Sequence, residues 1–286
     1  MKGFCELCKK ETEVVKSHIV PKFVFDWIKK TSATGYMRSP ENPNKRLQDG
    51  VKDYLLCRTC EILISEYETY FSREIYYPYL NEKRHYFEYN ELLMKFIVSV
   101  SWRVANNNLR KFSKNSVMEK YAHEAEEYWR KIILEDELDK KYEHRIYFLD
   151  YIENGPRSLP KKINDYIMRS VDATIASNSE RIFIYSKFPG IIIISLIQPQ
   201  SSERNDGSKI AFKGKINLPC TYYFENGLYE FLISRASIID NKPLSGRSLQ
   251  KVVSDMLKNP DRVLNSKSYQ AFLETQSWKM KKRSSK

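Results

Sequence analysis

Two pairs of cysteines near the start of the chain constrain its fold more than any other feature. Cys5 and Cys8 form one Cys-x-x-Cys motif, and Cys57 and Cys60 form the second. Together they account for four of the five cysteines in 286 residues. Thiolates spaced in this way bind one tetrahedral zinc ion from a turn and from the first turn of a helix. The sequence therefore predicts a structural zinc site, and four buried free thiols or two local disulfides are the alternative.

Residues 1–80 are predicted to form one compact unit around these cysteines. Phe4 and Leu7 flank the first pair, which is typical of a knuckle, and a helix is predicted to begin at Cys57 and to stop at Pro78. Between them the patterns predict, in order, a hairpin over residues 13–20, a short helix over residues 23–28 and a long loop over residues 31–50. A knuckle, a hairpin and a helix that starts at the second cysteine pair form the plan of a treble-clef zinc unit.

Residues 81–286 are predicted to form a helical segment followed by a mixed α+β domain, so the fold class of the whole chain is α+β. Apolar residues recur with helical period within residues 88–135. The later predicted elements are, in order, a strand at 145–152, a helix at 160–176, strands at 181–187, 190–198, 209–217 and 229–237, and two helices within 247–274. No motif assigns chemistry to this domain. Substrate positioning, signal sensing, and contact with a partner protein or a second copy of the chain are its predicted roles.

The composition indicates a globular, basic protein. Hydrophobic residues make up 42% and aromatic residues 13% of the chain. The longest apolar run, residues 190–197, is far shorter than the ~20 residues of a membrane helix, and the start Met1-Lys-Gly-Phe-Cys does not fit a secretory signal. We therefore expect a cytoplasmic protein without membrane association, in which reduced thiols favour metal over disulfides. The formal net charge of +12 favours a polyanion such as nucleic acid as the partner.

Three short motifs follow one another in the first part of the chain. They are Cys5-x-x-Cys8, Ser17-His18-Ile19-Val20-Pro21 and Leu56-Cys57-x-x-Cys60-Glu61. Their order resembles the HNH endonuclease family with its zinc-stabilised ββα-metal site, over about the first 70 residues and none of the rest. The resemblance implies an endonuclease in which a histidine is the general base, a divalent cation stabilises the leaving oxygen, and four cysteines hold a structural zinc ion.

In this resemblance His18 takes the position of the family's general base, because an apolar residue and Pro21 follow it. An imidazole accepts protons near neutral pH, and a strand can hold it rigidly. A zinc ligand or a hydrogen-bonded turn histidine are the alternatives for His18. Glu61 stands where the family often has His or Asn, and Glu66 and Glu68 are the further carboxylates predicted to bind catalytic magnesium or manganese. Plain solvated helix residues are the alternative for these three carboxylates.

Three cations near the histidine are predicted to contact a nucleic-acid backbone. Lys22 follows the proline of the second motif, and Lys45 and Arg46 lie in the predicted long loop. Cations beside a metal site suit contacts with phosphate groups. Solvated surface charge is the alternative.

The sequence departs from the family pattern at two positions. Ser17 stands where the family often places Asp, Glu or His as a metal ligand, and the family's central Asn falls at Lys52 or Asp53. The leading hypothesis is a metal-dependent nuclease that hydrolyses phosphodiester bonds of DNA, or of RNA, in a host-defence setting. A non-catalytic zinc-dependent nucleic-acid-binding module that lacks the second metal is the alternative. A zinc scaffold for protein contacts is a third hypothesis.

Overall fold

A computed structural model describes residues 1–39, 42–110, 116–152, 159–178, 180–200, 207–220, 222, 227–240 and 242–284. Side chains are described as far as residue 276, apart from the side chain of residue 240. These residues form a mixed α+β fold in which helices surround four small antiparallel sheets. The strands are β1 (Lys2–Phe4), β2 (Glu11–His18), β3 (Met37–Arg38), β4 (Arg46–Leu47), β5 (Lys52–Cys57), β6 (Tyr86–Tyr89), β7 (His144–Phe148), β8 (Asp172–Ser177), β9 (Ile182–Phe188), β10 (Ile191–Gln198) and β11 (Gly214–Asn217). The helices are α1 (Lys22–Lys30), α2 (Arg58–Phe71), α3 (Tyr77–Glu82), α4 (Glu91–Leu109), α5 (Val117–Leu134), α6 (Ile163–Arg169), α7 (Leu228–Asp240), α8 (Gly246–Leu257), α9 (Pro260–Leu264) and α10 (Lys267–Ser284).

The first sheet places the end of β2 beside the start of β5. Its strand order is β1-β2-β5, and both pairings are antiparallel. The β-branched residues in β2 favour an extended backbone. Ser17 lies opposite Asp53 and His18 lies opposite Lys52. Ser17 and His18 therefore lie at the end of β2, next to the first residues of β5.

The continuous helical segment that begins with α2 is longer than predicted and extends through α3. Cys57 is the N-terminal cap of α2, in agreement with the predicted start. The prediction that Pro78 stops this helix is wrong, because the segment continues through a π-helical turn, Ser72–Tyr76, into α3. Pro78 lies in the first turn of α3, and the wider turn before it accommodates a residue that cannot donate a backbone hydrogen bond. The segment ends at Lys83, whose φ of 52° is left-handed.

The larger sheet and helix α4 form the middle of the molecule. The sheet has the strand order β7-β10-β9-β8. All of β9 and all but the last residue of β10 are buried; β10 is almost entirely apolar, whereas β9 also buries Ser186 and Lys187. Helix α4 packs against β8, β9 and β10, and also against α2 and α5. Its N-terminus is capped by Asn90, whose side chain accepts a hydrogen bond from the amide of Leu92.

One continuous cluster of buried apolar side chains extends from Cys5 to Ala236. Within it the ring of Phe71 in α2 stacks on the ring of Phe96 in α4, with centroids 4.0 Å apart. Phe188 of β9 packs edge-on against both rings. The predicted boundary between the two units falls within α3. The division into two units stays a prediction.

Two of the later predicted elements have a different type or length. Residues 229–237, predicted as a strand, belong to helix α7, in which Leu228, Leu232 and Ala236 are buried at a spacing of four residues. The helix predicted over residues 160–176 ends at Arg169, and the chain then forms the strand β8.

The remaining corrections concern the segment after the larger sheet. The strand predicted over residues 209–217 is confined to β11, apart from an isolated bridge at Lys209. The two predicted C-terminal helices are three, because the side chain of Asn259 caps a separate short helix, α9. Among the described residues, none of the helices is both long and apolar enough to cross a bilayer.

Candidate metal centre and adjacent histidine

The four N-terminal cysteines form one cluster of sulfur atoms. The Sγ atoms of Cys5, Cys8, Cys57 and Cys60 all lie within 4.8 Å of one another. The Cys8 and Cys57 sulfurs are 4.0 Å apart. Four sulfurs bound at ~2.3 Å to a central zinc ion lie about 3.8 Å apart, whereas a disulfide requires ~2.05 Å. The geometry and the thiolate chemistry therefore fit a structural zinc ion, and the local disulfides that were the alternative are absent among the described cysteines.

Backbone contacts bring the two cysteine pairs together. After β1 the chain turns back on itself, because the amide of Lys9 donates to the Cys5 carbonyl and Lys9 has a left-handed φ of 57°. The amide of Glu6 donates to the carbonyl of Leu55 at 2.8 Å, which ties this turn to β5. Cys57 ends β5 and Cys60 lies in the first turn of α2. Each pair is thus held by local structure, and the bond from Glu6 to Leu55, together with the β1-β2-β5 sheet, brings the two pairs together.

Hydrogen bonds within the cluster make the thiols unequal acids. The neighbouring Cys60 thiol lowers the pKa of Cys5. The proximity of Cys5 raises the pKa of Cys60, and burial raises the pKa of Cys8. Four thiols so close together do not ionise independently, and a divalent cation removes this conflict by binding all four as thiolates.

His18 is held from two sides at the end of β2. Its Nε2 atom lies 2.8 Å from Oδ1 of Asp49, and its ring stacks on that of Phe25 with centroids 6.1 Å apart. The imidazole is 11% exposed. Within the part of the chain that the structure describes, no residue bonds its Nδ1 atom. His18 is not among the four grouped metal ligands, so its environment is that of a carboxylate-bound histidine.

Asp49 is a member of the site that the sequence did not reveal. It precedes β5, and its carboxylate also accepts a hydrogen bond from Lys52 at 2.5 Å and one from the amide of Gly50. Burial would raise the pKa of Asp49, but the bonds from Lys52 and His18 outweigh it and hold this pKa well below its ordinary range. The carboxylate is therefore ionised at neutral pH. The one local signal for it is the Asp-Gly pair, which marks a turn and not a partner for the histidine.

Gly50 explains how the loop brings Asp49 to the histidine. A Cβ atom at Gly50 would lie 2.1 Å from Cε2 of Phe25. Only a residue without a side chain lets the backbone lie this close to the ring on which His18 stacks. The loop is thus pressed against α1, and Asp49 meets the imidazole there.

Ser17 and Glu61 meet on the other side of β2. The Ser17 hydroxyl donates to Oε2 of Glu61 at 2.5 Å, and Ser17 is buried. Successive side chains of an extended strand leave on opposite faces, so Ser17 faces α2 whereas His18 faces the loop. Glu61 lies in the first turn of α2, where its negative charge interacts favourably with the helix dipole.

The two further carboxylates predicted as metal ligands are not brought to the same place. Glu68 pairs with Arg103 of α4, with Oε1 and Nη1 2.6 Å apart. Glu66 lies on the exposed face of α2. Groups of three or more candidate metal ligands, sought in the described ranges alone, comprise the cysteine cluster and no second set.

The three cations predicted to contact a nucleic-acid backbone have different surroundings and no shared partner among the described residues. Lys22 pairs with Asp26 on the same helix. Lys45 is exposed, in the turn between β3 and β4. Arg46 pairs with Asp255 of α8 at 2.7 Å, and its guanidinium lies over the ring of Tyr36. Of the three, Lys45 makes no ion pair with any described side chain.

Comparison with known proteins places the chain in no family. No family model, no curated protein and no solved structure matches it. The chemistry of the site therefore rests on the side chains and distances given above.

Proposed function

We propose that this protein is a zinc-stabilised nuclease of the HNH type, built on a treble-clef unit, that hydrolyses phosphodiester bonds of DNA or RNA in the cytoplasm. The observation that carries the proposal is the pair of contacts at the end of β2, where Ser17 bonds Glu61 on one face of the strand and His18 bonds Asp49 on the other. Ser17 and Glu61 stand at the positions where the HNH family often places residues of its catalytic metal site, and they are hydrogen-bonded to each other. The third position of that pattern, His18, is the next residue of the strand.

The contact between His18 and Asp49 supports a role as general base. Because Asp49 is ionised, it accepts a hydrogen bond, and the proton of the neutral imidazole resides on Nε2. Nδ1 then carries the lone pair and can take a proton from a water molecule that attacks phosphorus. Asp49 holds the ring in this tautomer and stabilises the imidazolium ion that forms, as the carboxylate of a catalytic triad does.

Glu61 is the carboxylate of this chain that the proposal assigns to magnesium or manganese. When bound, such an ion supplies Lewis-acid stabilisation of the leaving oxygen. A single carboxylate suffices only when water and substrate phosphate complete the coordination shell, which is common for magnesium. Glu68, paired with Arg103, and the exposed Glu66 have no part in this version of the site.

One observation favours a non-catalytic nucleic-acid-binding module as the second candidate. Ser17 satisfies one oxygen of Glu61, and a serine hydroxyl is a weaker magnesium ligand than the carboxylate or imidazole that the family often places there. Such a module would keep the zinc ion and the nucleic-acid partner and would lack hydrolysis.

The test is an assay of the full-length protein on plasmid DNA, single-stranded DNA and RNA with magnesium or manganese. We expect cleavage by the wild type and a loss of about 10²-fold or more in His18→Ala and Glu61→Gln. His123→Ala is the matched control, because His123 is exposed on α5 and is not one of the residues assigned to the site. Equal cleavage by the wild type and His18→Ala would rule out the assigned base. Salt-sensitive binding without cleavage would establish the second candidate instead.

A further inference from the structure

Arg103 of α4 reaches the backbone of the candidate base from a distant part of the sequence. It is 2% exposed, in the middle of a helix that packs on the larger sheet. Its Nη1 atom donates to the carbonyl oxygen of His18 at 3.0 Å and lies 2.6 Å from Oε1 of Glu68. Its Nε atom donates to the carbonyl oxygen of Ser99 at 3.3 Å. One guanidinium therefore connects α4, α2 and the last residue of β2.

The remaining nitrogen of Arg103 indicates that this cation is not placed for stability alone. Its Nη2 atom is buried and has no hydrogen-bond partner among the described residues. An unsatisfied donor on a buried charge costs free energy, and an ion pair so deeply buried is often no more stabilising than apolar residues of similar size. A buried guanidinium kept at this cost, with one arm on the His18 carbonyl, points to a role in geometry.

We propose that Arg103 is the positioning residue of His18. The bond to the His18 carbonyl fixes the peptide plane that follows the histidine, and Asp49 fixes the ring at its Nε2 atom. With the backbone and the ring both held, Nδ1 has one direction in which to face a water molecule. The catalytic consequence rests on the proposed nuclease function, whereas the positioning itself does not.

Helix α4 thereby supports the candidate base. The carbonyl of His18 takes its bond from a residue 85 positions later in the chain. A residue outside the first 80 thus helps to hold the histidine in place. The site is therefore expected to act only when α4 is present.

The variant that tests this is the pair Arg103→Met with Glu68→Leu in the full-length protein. Arg103→Met alone leaves Glu68 as an unpaired, largely buried charge and endangers folding, whereas the pair removes both charges together. The pair is expected to bind one zinc ion per chain and to keep the thermal midpoint of the wild type. Its kcat on a labelled oligonucleotide is expected to fall about 10- to 100-fold, with KM changed less than about threefold. Arg103→Lys, which keeps the charge and one donor, is expected to recover part of the loss.

Arg110→Met is the matched control. Arg110 caps the C-terminus of the same helix and, like Arg103, contacts residues of the first 80, namely Asp53 and Glu6, but it does not touch His18. Its kcat is expected to equal that of the wild type. An unchanged kcat in the double variant would overturn the proposal.

A second measurement separates this inference from the proposed function. The chain has four histidines, so its imidazole signals in a ¹H–¹³C spectrum are few, and His18→Gln assigns the one that matters. The His18 signal is expected to shift or broaden in the double variant and to stay in place in Arg110→Met. If the wild type cleaves no substrate, the nuclease proposal fails while this shift still supports the positioning. An unmoved His18 signal would contradict the positioning.

If the double variant loses zinc, kcat and the His18 signal are measured on Arg103→Lys instead. A partial change in both would support the positioning, and no change in either would contradict it.

Discussion

Asp49 keeps its negative charge in a partly buried place because two basic groups face it. Lys52 and His18 both contact its carboxylate, and together they hold its pKa below the ordinary range despite burial. A carboxyl whose pKa is lower in the folded than in the unfolded state stabilises the fold above its unfolded pKa of ~3.9. This stabilisation is lost as the pH falls through the folded-state value.

Asp49→Asn is therefore expected to destabilise the protein by about 1 kcal/mol at neutral pH. The difference in unfolding free energy between the two proteins should shrink as the pH falls below about 4. Urea unfolding of both proteins across this range measures it. Release of zinc at low pH affects the two proteins alike, so it cancels in the difference. A difference that stays the same or grows below about pH 4 would contradict the assigned ion pairs.

Ser195, His144 and Asp139 form a second chain of hydrogen bonds, which has the residue types of a hydrolase triad with the two ring nitrogens exchanged. Ser195 Oγ lies 2.7 Å from Nδ1 of His144, whose Nε2 lies 3.0 Å from Oδ2 of Asp139. All three residues are buried, and the Ser195 hydroxyl also contacts that of Ser101 at 2.6 Å. A substrate cannot reach a nucleophile enclosed in the core, so the arrangement stabilises the contact between β10 and α4.

We expect Ser195→Ala to destabilise the fold by about 1–3 kcal/mol, because it leaves His144 and Ser101 with unpaired buried groups. A fluorophosphonate probe is expected to leave the wild-type protein unlabelled. Mass spectrometry of the probe-treated protein measures the second outcome and thermal unfolding the first. Labelling of Ser195 would show that the core opens and would make the triad a candidate nucleophile.

At the scale of the elements, the loop between α1 and β5 determines whether the histidine has a partner. This loop includes the two-stranded sheet of β3 and β4 and ends with Gly50 against Phe25. Arg262 of α9 donates to the carbonyl of Ser32, and Arg46 pairs with Asp255 of α8, so C-terminal helices also hold the loop. Its path is set by contacts far apart in sequence.

Gly50→Ala should displace this loop, because the added methyl group would overlap the ring of Phe25. We expect a loss of stability of about 1–3 kcal/mol and a loss of cleavage if the proposed function is correct. Gly246→Ala is the control, since nothing lies within 4 Å of a Cβ atom at Gly246. Thermal unfolding and the nuclease assay together measure the effect. A Gly50→Ala protein as stable as Gly246→Ala would show that the loop does not lie against the ring.

These elements differ in how far the sequence could predict them. The start of α2 at Cys57 was predictable, because a metal-ligand pair and a helix N-terminus are local features. The helix α7 was predicted as a strand, since its burial at Leu228 and Leu232 follows from packing against the rest of the molecule. Asp49 was missed for the same reason: the contact that makes it important joins residues 31 positions apart.

At the scale of the whole molecule, the metal site and the larger sheet belong to one apolar cluster. Cys5 and Cys60 lie in the same cluster as the strands of the β7-β10-β9-β8 sheet. A structural zinc ion contributes free energy to folding, and its value is comparable to the net stability of a whole domain. Loss of the ion is therefore expected to affect more than the first 80 residues.

Removal of the metal tests this expectation. The purified protein should contain about one zinc ion per chain, released when the thiols are modified. A chelator is expected to lower the midpoint of thermal unfolding as a single transition, with tryptophans of α4 and α5 becoming exposed together with the cysteines. Elemental analysis and calorimetry measure both. Two separate transitions, with the second unchanged by the chelator, would show that the N-terminal unit unfolds on its own.

Strand β5 begins beside Asp49 and ends at Cys57, so six residues connect the partner of the imidazole with a sulfur of the cluster. This is a length of about 20 Å. Oxidation of a single thiol in that cluster would remove a sulfur ligand at one end of the strand, and the pairing of β5 with β2 would carry the change toward Asp49. Oxidation is thereby expected to weaken the contact that holds the His18 ring without modifying the histidine itself, and reduction in the presence of zinc is expected to restore it.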